Sequence, residues 1–371
     1  MTTILTLNPG SSSVKASVRT PEPVLNVAVE RIGTDRASIS RPDGGSEPFT
    51  GDLAEAVLAI TEQVRATGQQ IEVIAHRVVH GGPAHHRPTL VDDGLLADLR
   101  AAIPLAPLHL PGNLIVLEQA RRSWPDAIQV ACFDTGFHAG LPEQSVRLPV
   151  PAKLDELGVR RYGFHGLSIS SVLHRHPELD QAVIVHLGSG CSVTAVAGGR
   201  PRHTTMSLTP TGGMVSGTRP GDLDPEIVLY LIEQHGYRPD QLRAALNENS
   251  GLAGIAGGRH DLRDLLAAED RDARLALDIF VGSAAMAIAA CASTLEDWQA
   301  LVFTGGAGEH AAQLRDRICA RLLVLRGTVD STDAVIPAGV RRLVGTGLAV
   351  LVVPADEEAE LDRLARQLTA G

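Results

Sequence analysis

Three glycine-rich turns, with arginines, histidines and carboxylates set beside glycine or proline, are the residues of this chain whose types and spacing suit chemistry. The first turn, Asn8-Pro9-Gly10-Ser11-Ser12-Ser13, lies between the β-prone runs Ile4–Leu7 and Val14–Val18 and contains Lys15 at its exit. The second, His186-Leu187-Gly188-Ser189-Gly190-Cys191-Ser192, lies between Val183–Val185 and Val193–Val196, and a third, Thr304 to Glu309, follows Leu301-Val302-Phe303. Such turns aim backbone N–H groups and hydroxyls at phosphate oxygens, and a lysine adds a point charge. The third opens a helix, whose first amides also suit an anion. Each turn alone is equally a plain hairpin turn. The spacings are neither a dinucleotide-binding G-x-G-x-x-G nor a G-x-x-x-x-G-K-[ST] loop.

The other polar clusters are His76-Arg77-Val78-Val79-His80-Gly81-Gly82, Leu105 to Pro111 around His109, Phe133-Asp134-Thr135-Gly136-Phe137-His138, Arg160 to Gly166 around His165, and Gly217 to Asp224 around Arg219. A single histidine in such a run is as readily a hydrogen-bonded structural residue, and the doublet His85-His86 reads as loop surface. No pair of histidines has helical zinc spacing with an acid between, and no serine sits in G-x-S-x-G. Arginine, histidine, glycine loops and a few carboxylates are instead what phosphoryl transfer requires, because charge spreads over the equatorial oxygens and must be neutralised.

These groups need a scaffold, and the patterning supplies one. The first two turns are related by an offset of 178 residues, close to half of the 371-residue chain. That period predicts two domains of similar architecture rather than a short-repeat solenoid. Helical periodicity covers Leu53 to Ala66, Gly112 to Arg122 and Glu357 to Leu368, the last with Leu361, Leu364 and Leu368 on one face. Strands are expected at Ile74–Val79 and Ile128–Phe133, and Asp224-Pro225-Glu226 reads as a helix start with aspartate as cap. The uncharged stretch between Asp278 and Glu296 is 17 residues, short of a bilayer span, and reads as a buried core helix. The mixture is α/β, with a boundary near residue 150 between Pro149 and Pro151.

Composition narrows the class. With 33 basic and 43 acidic residues the formal charge is −10, and the only lysines are Lys15 and Lys153. An acidic surface argues against a general nucleic-acid or anionic-membrane binder. The four cysteines lack zinc or redox spacing and fit a reducing cytosol. The N-terminal run lacks a basic region and passes straight into a glycine turn, unlike a signal peptide.

In the order NPGSSSVK, HRVVHGG, APLHLPGN, FDTGFH, RRYGFHG, HLGSG, GTRPGDLDP, FTGGAGE and VPADEE, the chain resembles the acetate and propionate kinase family, within the sugar kinase, heat-shock ATPase and actin superfamily, from Asn8 to Glu358. The resemblance implies a duplicated ribonuclease-H-like α/β fold with a nucleotide cleft between two domains. The first would span 1–148, joined by a C-terminal helix 357–371, and the nucleotide-binding domain 149–356. It implies ATP- and Mg²⁺-dependent (or Mn²⁺-dependent) phosphorylation of acetate by in-line transfer, in a cytoplasmic homodimer. A kinase for propionate or another short-chain acid, or a nucleotide-binding member with little turnover, are the alternatives.

Carried over by position, Asn8 and Glu357 would hold the metal, and Lys15 would lie near the nucleotide phosphates. Arg77 and Arg219 would contact the carboxylate and the moving phosphoryl group. His165 would stabilise the transition state, Asp134 would orient substrate or an arginine, and His109 would support them. His186, Leu187, Gly188, Ser189 and Gly190 would form the second phosphate loop. Asp261, Leu262 and Arg263, with Gly306, Ala307, Gly308, Glu309 and His310, would frame the adenosine. Val79, Leu108, Phe164 and Pro210 match the apolar pocket for the acid's methyl group. Ser189 and His310 stand where the family has asparagine, in nucleotide-contact loops, and His203, Gly212 and Ile169 also depart from its pattern.

Overall fold

The computed structural model describes residues 2–10, 12–41, 43–322, 328–329, 341–344 and 348–370. Ser11 of the first turn and Gly371, at the end of the expected last helix, lie outside the described residues. The chain divides into two compact units, Met1–Ala139 with Asp356–Gly371, and Gly140–Ala355.

Unit 1 is built on β1 (Ile4–Pro9), β2 (Val14–Arg19), β3 (Pro23–Glu30), β4 (Ser38–Ser40), β5 (Ser46–Pro48), β6 (Val73–Val78), β7 (Thr89–Leu90) and β8 (Ile128–Phe133). They form one sheet in the order β5-β4-β3-β2-β1-β6-β8-β7. The first three strands are antiparallel neighbours, and β6 and β8 continue parallel to β1. Leu5, Leu7, Val14, Ala16 and Val18 bury against Val57, Ile60 and Val64 of the helix Leu53–Ala66 and Val116 of the helix Leu110–Ser123. The first of these helices starts at a capping box. Asp52 accepts from the amides of Ala54 and Glu55, and Glu55 accepts from the amide of Asp52.

The last helix, Glu357–Thr369, belongs to unit 1 and differs from its sequence pattern. Its buried face is Glu360, Leu361, Asp362 and Ala365, whereas Leu368 is exposed. The leucine stripe loses because the acids on the inner face are neutralised within the helix. Arg363 binds Glu360 at 2.6 Å and Arg366 binds Asp362 at 2.8 Å. Arg366 also donates to the carbonyl of Thr2 beneath β1.

Unit 2 contains β9 (Gln181–Leu187), β10 (Cys191–Ala197), β11 (Arg200–Thr204), β12 (Ala300–Thr304), β13 (Thr328–Val329), β14 (Arg341–Val344) and β15 (Ala349–Val352), in the order β11-β10-β9-β12-β15-β14-β13. Its first five strands repeat the order and directions of β3-β2-β1-β6-β8: an antiparallel meander, then two strands parallel to the first. The fold is thus the duplicated α/β arrangement that the internal echo predicts.

The helix Arg271–Ala292 is only half a core helix. Ala276, Phe280, Ala284 and Ile288 are buried against the sheet, while Leu275, Ile279 and Met286 are exposed. By length and composition it is apolar enough to cross a membrane, but its inner face is part of the hydrophobic core. The expected helix start at Asp224 is displaced by one residue. Pro225 is the cap of Glu226–His235, and Asp224 Oδ1 still accepts from the Glu226 amide at 3.0 Å.

Candidate active site

In unit 1, buried strands deliver polar groups to one end of the sheet. Asn8 lies near the end of β1, beside Arg77 on β6, and Asp134 follows directly on β8. Arg77 grips Asp134 through two nitrogens, Nη2 to Oδ2 at 2.7 Å and Nε to Oδ2 at 3.1 Å. Its Nη1 donates to Asn8 Oδ1 at 3.2 Å and to the Pro9 carbonyl at 3.3 Å. Asn8 Nδ2 in turn donates to Glu357 at 2.9 Å and Glu358 at 3.0 Å, at the start of the last helix. Glu357 Oε2 is also 4.0 Å from Arg77 Nε.

Burial alone would lower the pKa of Arg77, but Asp134 and then Glu357 reverse that and hold it above its ordinary value. Burial pushes the Asp134 carboxyl upward, against the pull of Arg77. One guanidinium thus faces three carboxylates, so the cluster carries excess negative charge. Among the described residues no three His, Cys, Asp or Glu side chains group in a way that would hold a metal alone. Magnesium, however, is held through one or two carboxylates, with waters and substrate phosphates completing its shell. Hard oxygen donors from Asn8, Glu357 and Glu358 in a negative environment fit that requirement.

Lys15 pairs with Asn8 across the β1–β2 hairpin and is exposed. It lines a shallow cavity of about 380 Å³ with Arg19, Asn26, Ser40, Asp356 and Glu358 among others. His109 caps the helix Leu110–Ser123, and Asn113 one turn later accepts from the Val79 amide at 2.8 Å. Val79 is buried and Leu108 exposed. His76 and His80 are structural. His76 Nε2 meets Gln129 Oε1 at 2.7 Å, His80 Nδ1 accepts from the Gly82 amide, and burial pushes both imidazoles down to about 4. His85 is not plain loop surface: it pairs with Asp98 at 2.9 Å and stacks on Phe133.

In unit 2, His165 takes a left-handed conformation (φ 60°, ψ 23°) at the cap of the helix Gly166–Arg175. A non-glycine residue adopts this only when its surroundings over-determine it, a condition common at functional sites. Its ring stacks on that of His186, with centroids 4.1 Å apart. Gly190 sits where these groups converge. A Cβ there would stand 3.2 Å from Arg219 Nη1 and 3.5 Å from His165 Nε2. A Cβ on Gly305, at φ +77°, would stand 2.9 Å from the Leu187 carbonyl and 3.1 Å from His186 Nε2. Glycine is required at Gly305 by its backbone angle and the Leu187 carbonyl, whereas a Cβ at Gly190 would press only on the Arg219 and His165 side chains. The Gly217 amide donates to the Ser189 carbonyl at 3.3 Å, and Ser216 Oγ accepts from the Cys191 amide at 3.2 Å.

Arg219 donates to the Pro210 carbonyl at 3.3 Å. Burial lowers its pKa, and the neighbouring Cys191 thiol opposes that. The thiol itself is pushed up to about 12 by burial, so it is no nucleophile at neutral pH. Phe164 and Pro210 are both buried.

Beside these loops is a cavity of about 980 Å³. It is lined by Gly188, Ser189, Asp261, Leu262, Arg263, Gly306, Ala307 and His310, all singled out in the sequence. Gly217, Leu252, His260, Leu266, Ala267, Ala311, Ala312 and Gln313 complete the lining. The apolar members come from helix faces whose periodicity marks them only as core. Asp261 and Arg263 form an ion pair at 2.5 Å. Glu309 and Gly308 are not in the lining. The Glu309 carboxylate accepts from the Gly305 and Ala355 amides, and Gly308 packs beside Phe303 and Leu187. Sequence reasoning also missed Glu358, which shares Asn8 with Glu357, and the buried serines Ser168 and Ser192 that touch the two histidines. The acidic doublet was a readable signal for Glu358, and Ser192 closes the second glycine turn, although its hydroxyl meets His165; nothing local marked Ser168.

A duplicated α/β scaffold with an acid–arginine cluster in one unit and a glycine-loop cavity in the other defines a class of phosphotransferase. The acetokinase family profile matches residues 3–363. Acetate kinase of Deinococcus radiodurans is 39% identical, covering 99% of this chain and 98% of its own length. Among solved structures, a propionate kinase from Francisella tularensis superposes with a TM-score of 0.88 at 30% identity, covering 99% of this chain and all of its own. Porphyromonas gingivalis acetate kinase gives 0.85 at 28% identity with both chains covered in full. The chain belongs to the acetokinase family.

Proposed function

We infer that this protein phosphorylates acetate reversibly, with ATP as phosphoryl donor and acetyl phosphate as product. The observation that carries the reading is the near-full-length likeness to acetate kinases. The residue roles rest on the two clusters described above. The units are proposed as functional domains, unit 1 for the metal and unit 2 for the nucleotide.

A carboxylate is already ionised at neutral pH, so no general base is needed, and the protein's task is positioning and charge neutralisation. Asn8 and Glu357, with Glu358 beside them, would hold Mg²⁺, which neutralises phosphate oxygens when bound. Arg77 is assigned to the acid's carboxylate and Arg219 to the moving phosphoryl group. Arginine suits both because its planar fork binds two oxygens and stays charged even where burial lowers its pKa. Asp134 holds Arg77 in orientation. His165 is assigned as a hydrogen-bond donor to the transition state, with His109 supporting the acid side. Loop residues His186 to Gly190 and the cavity around Asp261, Leu262, Arg263, Gly306, Ala307 and His310 are assigned to the nucleotide, and Lys15 to its phosphates. Glu309 and Gly308 shape that cavity through the backbone. Val79, Leu108, Phe164 and Pro210 are assigned to the methyl group.

A propionate preference is the second reading, favoured by the likeness to the Francisella propionate kinase. One methylene changes binding by only ~1–3 kcal/mol, so both acids should react to some extent. A homodimer is proposed from the family likeness, and exposed apolar side chains are in keeping with it. The helix Glu226–His235 buries none of its residues and exposes Ile227, Leu229 and Tyr230, and Met286 is 70% exposed. The deciding assay is purified protein with Mg-ATP, hydroxylamine and acetate, propionate or butyrate. Acetyl hydroxamate formed fastest supports the reading, propionyl hydroxamate formed fastest favours the second, and no hydroxamate with any acid refutes both.

A further inference from the structure

The stacked imidazoles of His165 and His186 are cross-braced. Ser192 Oγ lies 3.0 Å from His165 Nδ1, and Ser168 Oγ lies 2.8 Å from His186 Nδ1. Both serines have no exposed surface. Ser192 stands opposite His186 in the β9–β10 register, yet it holds His165. Ser168 lies in the first turn of the helix that His165 caps, yet it holds His186. The His186 ring is therefore fixed by the helix that His165 caps, and the His165 ring by the strand paired with the one that carries His186.

The opposite edges of the rings face the glycine loops. His165 Nε2 looks onto Gly190, while His186 Nε2 looks onto Gly188 and Gly305, where a Cβ would stand 3.5 Å, 3.3 Å and 3.1 Å away respectively. In a neutral imidazole one nitrogen donates and the other accepts, and the partner of one fixes the role of the other. Two stacked imidazolium rings would repel, and Arg219 approaches the same glycine as His165.

We propose that Ser192 and Ser168 are positioning residues that donate their hydroxyl hydrogens to Nδ1 of His165 and His186, holding both rings as Nε2–H donors aimed at phosphoryl oxygens. The pair is then a preset two-donor cradle that needs no proton transfer during the reaction. The inference deepens the phosphotransferase reading and rests on it for the identity of the oxygens.

Nitrogen NMR of the full-length protein labelled at histidine, without nucleotide, tests the brace independently of turnover. Both rings of the wild type are expected as the Nε2–H tautomer. Ser192→Ala should shift His165, and Ser168→Ala should shift His186, toward a mixture of tautomers. In steady-state assays each alanine variant should lose about tenfold or more in kcat, the range typical of partners that orient a functional histidine, with KM for acetate little changed. Ser192→Thr, which keeps the hydroxyl, should recover most of that loss. Wild-type rings carrying hydrogen on Nδ1 overturn the proposal, as do alanine variants with unchanged tautomers and unchanged kcat. Should Ser192→Ala fail to fold, the wild-type spectrum and Ser168→Ala still decide. A wild type without turnover but with the expected tautomers would sink the functional reading and leave the brace standing.

Discussion

Removing the Arg77 guanidinium should expose how much of unit 1 is organised around one buried charge pair. Asp134 has no exposed surface and takes its strongest contacts from Arg77. In Arg77→Ala the carboxylate must stay buried without its main partner or take up a proton. Protonating a carboxyl of ordinary pKa 3.8 at pH 7 costs about 4 kcal/mol, which agrees with the ~3–5 kcal/mol lost when one member of a buried pair is removed. The folded variant then binds a proton that its unfolded chain does not, so the deficit should shrink as pH falls. At pH 5 the same sum leaves about 2 kcal/mol. Urea unfolding of wild type and variant at both pH values measures this difference directly. A double variant, Arg77→Met with Asp134→Asn, removes both charges and should regain most of the stability. Under the role proposed for Arg77, its kcat/KM should nevertheless remain down by ~10³-fold or more, because the acid's carboxylate would lack its cation. An Arg77→Ala protein with the wild-type urea midpoint, a deficit that does not change with pH, or a double variant with restored activity would each refute the reasoning.

Gly190→Ala should fold, because glycine there is set by the approach of Arg219 and His165 rather than by a left-handed backbone. Displacing those groups by even a few tenths of an ångström should cut kcat by about tenfold, and an unchanged kcat would contradict the placement of the chemistry at that point. His76, neutral and buried with a pKa of about 4 against 6.5 in the unfolded chain, favours the unfolded state as pH falls between those values. Stability is therefore intact above pH 6.5 and declines toward pH 4, by about 3 kcal/mol from this residue at the limit. His76→Gln should flatten that part of the profile measured by urea unfolding, and an identical profile would remove the burial argument.

Strand–turn–strand units at Asn8 and His186 were legible because each pairs a short β-branched run with a glycine turn, a local signal. Helix Leu53–Ala66 was legible from its period alone, and its Asp52–Glu55 capping box emerged only with the structure. What escaped depends on polar partners that hydrophobic periodicity does not register. The C-terminal helix turns Glu360 and Asp362 inward because Arg363 and Arg366 neutralise them, which a hydrophobic stripe cannot reveal. Ser168 and Ser192 acquire meaning only when two elements bring the histidines together. Glu309, placed by position in the nucleotide loop, spends its carboxylate on two backbone amides instead.

The duplication explains why two unlike sets of side chains arise at one place in the fold. Asn8 and His186 are 178 residues apart and occupy the same position of the first strand in each five-strand core, facing Lys15 and Ser192 across their hairpins. On the next parallel strand, Arg77 reaches Asn8 through a hydrogen bond, where Thr304 pairs with His186 in the register. Behind these positions the strands are buried and, apart from Thr6 and the half-buried Gln181, apolar, so the scaffold tolerates little change there. Open α/β sheets bind ligands at the carboxyl ends of their parallel strands, where the chain leaves the core and polar groups cost least. Under the proposed function, divergence confined to those ends would turn one copy toward a cation and an acid, and the other toward phosphate. Exchanging residues at the ends should therefore alter chemistry at small cost in stability, except where a charge is buried with its partner, as at Arg77 and Asp134.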